Sequence, residues 1–237
     1  MKRECSLAGK FRQYGASLLL VHLAIACSPS APPPGNETAP NAAAGNAAVA
    51  ADARLVVVFG DSLYAGYSLA DGEGFAPVLQ ADLKVRGVAA QVVNAGVSGD
   101  TSAEGLARLG FVLDGLARKP DLVVVGLGGN DMLRGLDPAA TRSNLDAILA
   151  ELKKRGIPAM LTGMLAAPNM GPEYAGRFNA IYPDLAAKYD VPLYPFFLQD
   201  VLGNRALMLQ DGIHPNADGV KIVSGHVAPM VAERLSN

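Results

Sequence analysis

Four short polar segments contain the side chains of this sequence that are best suited to chemistry. Gly60-Asp61-Ser62-Leu63 offers a serine hydroxyl, and Asp211-Gly212-Ile213-His214-Pro215 offers an imidazole with a carboxylate three residues before it. Gly96-Val97-Ser98-Gly99-Asp100 and Gly128-Gly129-Asn130-Asp131 offer backbone N–H groups and a side-chain amide. A serine hydroxyl is a poor nucleophile at neutral pH and needs a base within hydrogen-bond reach. Together, the four segments indicate nucleophilic catalysis by serine.

Each group in this set has an expected role. Ser62 is the expected nucleophile, His214 the base that takes its proton, and Asp211 the carboxylate that orients the imidazole. An oxyanion that develops on an attacked carbonyl needs hydrogen-bond donors aimed at it. The backbone N–H groups of Ser62 and Gly99 and the side chain of Asn130 are the expected donors.

The choice of base rests on the small number of histidines. The chain has three. His22 lies in the apolar run near the N-terminus, and His226 lies in a C-terminal segment with helical apolar periodicity, where packing or a surface position is the simpler interpretation. His214 is the histidine that has a carboxylate at a spacing one turn can bring together.

Three further carboxylates, Asp61, Asp100 and Asp131, each adjoin an expected site residue. We interpret them as helix caps or loop braces rather than as catalytic groups. No grouping of histidines and carboxylates indicates a metal site. The stretch from Gly126 to Asp131 begins like a dinucleotide-binding fingerprint, but it ends in Asp where Gly or Ala is required. The sequence therefore predicts an enzyme without a metal or an organic cofactor.

The elements that must position these groups are indicated by short apolar runs. The runs do not alternate with polar residues, which is typical of strands buried on both faces of a parallel sheet. The predicted strands are Leu55–Phe59, Ala90–Val93, Leu122–Val125, Ala159–Leu161 and Val191–Tyr194. Helical patterns between them predict an α/β fold, a three-layer α/β/α sandwich with a central parallel sheet. Because ligands bind beyond the carboxyl ends of such strands, the first three polar segments should meet at one edge.

Several helix boundaries can be predicted from capping residues. Thr101 and Glu104 form the pattern of a capping box. Asp137 followed by Pro138 predicts another helix start, and the cations before Gly156 predict its end. Pro183 lies inside the helical pattern of residues 174–189 and predicts a kink or a split there.

The four polar segments, in this order, resemble the blocks that define the SGNH (GDSL) hydrolase family. The resemblance rests on Gly60-Asp61-Ser62-Leu63, Gly99, Asn130 and Asp211-x-x-His214, and it covers the chain from about residue 54 to the C-terminal helix. It implies a flavodoxin-like sheet order and the same catalytic roles as those given above.

Longer stretches are similar to one branch of that family, the acyl-CoA thioesterase I, arylesterase and lysophospholipase proteins. These stretches include Val97–Ser102, Leu127–Asp131 and Asp211–Asn216. The similarity implies a serine esterase that hydrolyses aryl or acyl esters, and acyl thioesters or lysophospholipids, through an acyl-serine intermediate.

Two alternatives remain open at this point. A carbohydrate O-acetylesterase that acts on cell-wall sugars would use the same groups, and acyl-chain preference would separate the two activities. A non-catalytic lipoprotein could use the same cleft to bind a partner, and an esterase assay would decide. The apolar residues near the site segments, Met132, Leu133, Met164, Leu165 and Ile213, favour an acyl chain over a sugar.

The first 52 residues predict export to the periplasm and a lipid anchor at the membrane. Residues 1–26 have the charged, apolar and small-residue regions of a signal peptide. Ala24-Ile25-Ala26-Cys27 resembles a bacterial lipobox, so we expect lipidation of Cys27, with ordinary cleavage to a soluble periplasmic or secreted protein as the alternative. Residues 27–52 are rich in Ala, Pro and Asn and predict a disordered linker. We expect the hydrolase domain to comprise residues 53–237.

Composition excludes several other classes of function. The formal net charge is −2 and no Lys/Arg-rich stripe is present, which argues against a nucleic-acid surface. Contact with a membrane is therefore expected only through the N-terminal anchor. The two cysteines, Cys5 and Cys27, both precede the predicted domain, so a disulfide scaffold is excluded from it.

Overall fold

A computed structural model of the chain describes residues 53–236, in which parallel strands and helices alternate. The expected signal peptide, Cys27 and the linker lie outside the described residues. The strands are β1 (Arg54–Gly60), β2 (Ala90–Gly96), β3 (Leu122–Gly126), β4 (Ala159–Thr162) and β5 (Leu193–Tyr194). The helices are α1 (Ser62–Ala65), α2 (Phe75–Val85), α3 (Ser102–Asp114), α4 (Gly129–Leu133), α5 (Pro138–Lys154), α6 (Pro172–Asn179), α7 (Ile181–Tyr189) and α8 (Ala217–Ser236), with a 3-10 turn at Pro168–Met170.

The sheet has the order β2-β1-β3-β4-β5, and all its strands are parallel. This is the flavodoxin-like order of a doubly wound sheet. Helices α2 and α8 pack on one face through residues such as Leu79 and Val227. Helices α3, α5 and α7 pack on the other face through residues such as Leu109, Leu145 and Leu185. The predicted three-layer sandwich is therefore confirmed.

Capping explains where the main helices begin. Thr101 accepts from the N–H of Glu104, whose side chain accepts in return from the Thr101 N–H, which completes the capping box of α3. Asp137 caps α5, and Pro138 occupies its first turn.

The segment around Pro183 forms two helices, α6 and α7, which meet at Ala180. Pro183 then lies in the first turn of α7, where the N–H that it lacks would have no partner within the helix. Strand β5 is shorter than predicted, because only Leu193 and Tyr194 pair with β4. Among the described helices, none is both long enough and apolar enough to cross a bilayer.

Three strands end in glycine at the same level of the sheet. Gly60 of β1 is the register partner of Gly96 in β2 and of Gly126 in β3. A Cβ atom at Gly60 would lie 2.3 Å from the ring of Tyr64, and one at Gly126 would lie 2.1 Å from the Tyr64 hydroxyl. A Cβ atom at Gly96 would lie 2.3 Å from the backbone nitrogen of Ala65. These glycines thus form a groove, which we call the glycine row, for the turn that follows β1.

Tyr64 fills the glycine row with a fully buried side chain. Its hydroxyl reaches the hydroxyl of Thr162 at the end of β4. Its ring stacks on Phe197 with centroids 4.9 Å apart and meets the edge of Phe75 at 5.3 Å. Because Tyr64 is two residues after Ser62 in α1, this packing fixes the first reactive segment on the carboxyl edge of the sheet.

Candidate active site

Ser62 is the first residue of α1, a single helical turn held by a cap at each end. The carboxylate of Asp61 accepts from the N–H of Leu63 at 3.1 Å, and Gly66 ends the turn with a φ of 81°. Gly66 can adopt this left-handed conformation because it has no Cβ atom. The turn leaves the hydroxyl of Ser62 facing the loop before α8.

That loop is a small hairpin that carries His214. Met208 and Pro215 form an antiparallel bridge, and the N–H of Leu209 donates to the carbonyl of His214 at 2.8 Å. The side-chain oxygen of Asn216 accepts from the first N–H groups of α8. The hairpin is thus anchored to a long helix, which keeps the imidazole in place.

Ser62, His214 and Asp211 form one line of hydrogen bonds. The Ser62 Oγ lies 2.8 Å from the His214 Nε2, and the His214 Nδ1 lies 2.7 Å from the Asp211 Oδ2. The other carboxylate oxygen of Asp211 accepts from the N–H groups of Ile213 and His214. The structure therefore brings together the three groups that the sequence predicts to act in concert.

The charge of Asp211 sets the tautomer of the imidazole. Burial alone would raise the pKa of Asp211, but the backbone N–H and the imidazole of His214, followed by the N–H of Ile213, lower this pKa to about 2. An ionised carboxylate can only accept hydrogen bonds. The Nδ1 of His214 must then carry a proton, and the tautomer that serves as a base has its Nε2 free to accept from Ser62.

The ring of Tyr67 packs against the imidazole of His214, a contact that was not predicted from the sequence. The two ring centroids are 4.5 Å apart at an angle of 34°. Tyr67 follows directly from the left-handed Gly66, so the end of α1 turns its ring back over the imidazole. No motif marks this contact, because it joins two segments about 150 residues apart.

Each of the three expected oxyanion donors has an N–H group without a protein acceptor among the described residues. Among the described residues, the backbone N–H groups of Ser62 and Gly99 donate to no protein acceptor. The Nδ2 of Asn130 donates to the carbonyl of Asp100 at 3.0 Å, which uses one of its two hydrogens. All three residues are partly accessible to solvent at the carboxyl edge of the sheet.

Arg108, which was not among the residues predicted from the sequence, ties the first two site segments together. Its guanidinium donates to the carbonyls of Gly60 at 2.9 Å and Ala95 at 2.8 Å, and to the carboxylate of Asp100 at 2.6 Å. It also lies 4.3 Å from the ring centroid of Phe59. A lone arginine in a helical pattern carries no signal of this role, which depends on the ends of β1 and β2 lying side by side beneath α3.

Asp131 braces the third segment, as expected for a carboxylate beside the site. It is buried and accepts from the N–H of Ser102 at 2.8 Å and from the hydroxyls of Ser102 and Thr141 at 2.5 and 3.0 Å. Asn144 donates to the Ser102 hydroxyl at 3.0 Å. This network connects the start of α4 to α3 and α5.

His226 lies away from this set. Its Nδ1 is 2.9 Å from the hydroxyl of Tyr194, and its Nε2 is 3.7 Å from the carboxylate of Asp200. The packing interpretation agrees with these contacts. In the part of the chain that the structure describes, no cluster of three or more His, Cys, Asp or Glu could hold a metal ion.

Comparison with known families gives this arrangement a context. Residues 58–222 match the GDSL-like Lipase/Acylhydrolase family. The chain belongs to this family. The match confirms the resemblance seen in the four segments, and it makes the chain an ester hydrolase of the GDSL/SGNH type.

Several individual proteins of this family are similar to the chain over most of their length. It is 43% identical to Esterase TesA of Pseudomonas aeruginosa over 70% of this chain and 81% of that protein. It is 40% identical to Thioesterase 1/protease 1/lysophospholipase L1 of Escherichia coli over 76% of this chain and 84% of the relative. The crystal structure of AlinE4, an SGNH-hydrolase family esterase, has a TM-score of 0.67 at 48% identity and covers 78% of this chain and 97% of AlinE4.

The buried position of Asp61 generates a prediction about stability and pH. Burial raises the pKa of Asp61 from 3.8 to about 7, the Leu63 N–H opposes this rise, and Asp100 adds to it. Because the folded pKa exceeds the unfolded one, the folded state binds more protons between these values, and stability is lost as the pH rises toward 7. Asp61→Asn keeps a cap for Leu63 and cannot ionise.

The free energy of unfolding, measured by urea titration from pH 4.5 to 7.5, tests this expectation. Relative to Asp61→Asn, the wild-type protein should lose up to about 1.4 kcal/mol per pH unit across this range. Asp211 is present in both proteins, so its titration cancels in the difference. Parallel stability curves for the two proteins would contradict the raised pKa.

Proposed function

We propose that this hydrolase cleaves aryl and acyl esters, and acyl thioesters or lysophospholipids, through an acyl intermediate on Ser62. The observation that carries the proposal is the continuous line of hydrogen bonds from Ser62 through His214 to Asp211. Such a line supplies a nucleophile, a base and a carboxylate that orients the base. The esterase and thioesterase names of the relatives support the same chemistry.

In the first half of the reaction, the Oγ of Ser62 attacks the acyl carbonyl while the Nε2 of His214 takes the hydroxyl proton. Asp211 stabilises the imidazolium that forms. The N–H groups of Ser62 and Gly99 and the amide of Asn130 donate to the oxyanion. Collapse of the tetrahedral intermediate breaks the bond to the leaving group, which takes the proton from His214 and departs as an alcohol or a thiol.

In the second half, water replaces the leaving group. The Nε2 of His214 takes a proton from the water as its oxygen attacks the acyl-Ser62 carbonyl, and the same three donors hold the second oxyanion. Breakage of the acyl–Oγ bond returns the proton to Ser62 and releases the carboxylic acid. The cycle is balanced by water, the side chains of Ser62, His214, Asp211 and Asn130, and two backbone N–H groups.

The surroundings of the site favour an acyl chain over a sugar. Leu133, Leu165 and Ile213 are exposed large apolar side chains, and each lies in a segment that adjoins the site. Tyr67 is also exposed, with its ring against His214. Exposed apolar groups gathered at one edge indicate a surface that binds apolar ligands. Met132, which the sequence also suggested for this surface, is buried.

A chain-length series of p-nitrophenyl esters and acyl-CoA thioesters tests the activity. The wild-type protein should prefer medium or long acyl chains, because the apolar side chains at the site can cover them. Ser62→Ala should lower kcat by about 10⁴- to 10⁶-fold, because no other group replaces the nucleophile. A thermal melt of both proteins controls for folding.

The outcomes of this series separate the candidate functions. A strict preference for acetyl esters would contradict the acyl-chain specificity and favour a carbohydrate O-acetylesterase. Equal kcat values for the wild-type protein and Ser62→Ala would exclude Ser62 as the nucleophile. Absence of hydrolysis from the folded wild-type protein would overturn the enzymatic proposal and favour a binding function.

We also propose that the enzyme is exported and held at a membrane by a lipid on Cys27. The charged and apolar regions of residues 1–26 and the motif that ends at Cys27 support this localisation. A single acyl chain binds membranes only weakly, so a lipoprotein needs more than one.

Fractionation of bacterial cells that express the full chain tests the anchor. Wild-type activity should sediment with membranes, and Cys27→Ser should shift it to the soluble fraction, with Cys5→Ser as the matched control. Soluble wild-type activity would show ordinary cleavage instead.

A further inference from the structure

Helix α4 holds two successive carbonyl groups of the loop that contains Gly99. The guanidinium of Arg134, which caps the end of α4, donates to the carbonyl of Gly99 at 2.7 Å. The amide of Asn130 donates to the carbonyl of Asp100 at 3.0 Å. The two side chains are four residues apart and therefore project from the same side of the helix.

The other ends of the same two peptide units are also held. The N–H of Asp100, which shares a peptide unit with the Gly99 carbonyl, donates to the carbonyl of Val97 at 3.2 Å. The N–H of Thr101 donates to the side chain of Glu104 at 2.7 Å. Both peptide units after Gly99 are thus fixed at the N–H and at the carbonyl.

Gly99 needs this support more than another residue would. Its φ is 88°, in the left-handed region where glycine is free to move because it has no Cβ atom. A Cβ atom at Gly99 would meet only the guanidinium of Arg134, at 3.8 Å. The Gly99 N–H, one of the three proposed oxyanion donors, belongs to the preceding peptide unit. Its direction therefore depends on the φ and ψ angles of Gly99, which can change little when the peptide units that follow are held.

We propose that Arg134 is a positioning residue that orients the Gly99 N–H toward the oxyanion. The inference rests on the proposed function, since it assigns a role within that reaction. A donor fixed before the reaction stabilises developing charge without any cost of reorganisation. By holding the carbonyl of Gly99, Arg134 keeps the preceding N–H in its productive direction.

The ion pair of Arg134 does not account for its placement. Its guanidinium lies 3.8 Å from the carboxylate of Glu104, and both side chains are about half exposed. Exposed pairs of this kind contribute little to stability. The shorter contact of Arg134 is the one with the Gly99 carbonyl, which points to the loop rather than to Glu104.

Steady-state kinetics of Arg134→Met test the role on two substrates, a neutral p-nitrophenyl ester and an anionic acyl-CoA. Loss of a whole oxyanion donor costs about 10²- to 10³-fold in kcat, so a loosened donor should cost about 10-fold. The same loss is expected on both substrates, with KM little changed. The rate of inactivation by an alkyl phosphonate ester should fall by a similar factor, and Arg134→Lys should recover part of the loss.

A matched control comes from the opposite edge of the sheet. Arg118 is also a partly exposed arginine, and it pairs with Asp121 just before β3 begins. Arg118→Met should leave kcat on both substrates unchanged. The pH profile of kcat/KM should keep its shape in Arg134→Met, because Arg134 contacts neither His214 nor Asp211.

Three results would overturn the proposal. A higher KM for acyl-CoA alone, with kcat unchanged, would make Arg134 a binding group for the anionic part of the substrate. Unchanged kinetics on both substrates would show that the Gly99 N–H needs no such support. A shifted pH profile of kcat/KM in Arg134→Met would show that the substitution acts through His214 rather than through the Gly99 N–H. Failure of the proposed function itself would be recognised separately, because the wild-type protein would then lack activity.

Discussion

The packing of one tyrosine ring against backbone determines where the reactive serine lies. Tyr64 occupies the glycine row formed by Gly60, Gly96 and Gly126, where a Cβ atom would come within about 2.1–2.3 Å of the turn. Because Tyr64 and Ser62 share one short helical turn, the fit of the ring in this groove sets the height and direction of the hydroxyl. The remaining loops of the site are arranged around Ser62, whose position is fixed by the packing of Tyr64 against the sheet.

Polar side chains fix the remaining loops against this reference. Arg108 gathers the ends of β1 and β2, and Asp131 joins α4 to α3 and α5. Such groups are costly to bury without partners, so each network must be completed for the loops to stay in place. This explains why acidic residues flank the site without taking part in the chemistry: their hydrogen bonds maintain the distances between the reacting groups.

Much of the fold and part of the candidate site could be predicted from local sequence. The apolar runs predicted all five strands, and the caps at Thr101 and Asp137 predicted two helix starts, because these signals act over a few residues. The grouping of Ser62, His214 and Asp211 followed from chemical need. The contacts of Tyr67, Arg108 and Arg134 could not be predicted, since each joins segments distant in sequence. The break at Ala180 also depends on how α6 and α7 pack, which Pro183 alone does not specify.

A double-mutant cycle on the glycine row tests the central claim most directly. The free energy of unfolding and kcat would be measured for Gly126→Ala in the wild-type protein and in a Tyr64→Leu background, which lacks the ring atoms nearest Gly126. In the wild-type protein the added methyl group should cost about 1–3 kcal/mol and lower kcat. In the Tyr64→Leu background the cost should largely disappear, which gives a clear coupling energy. Gly225→Ala, which meets no atom within 4 Å, serves as the additive control. An equal cost of Gly126→Ala in both backgrounds would contradict the claim that the tyrosine and the glycine row together position Ser62.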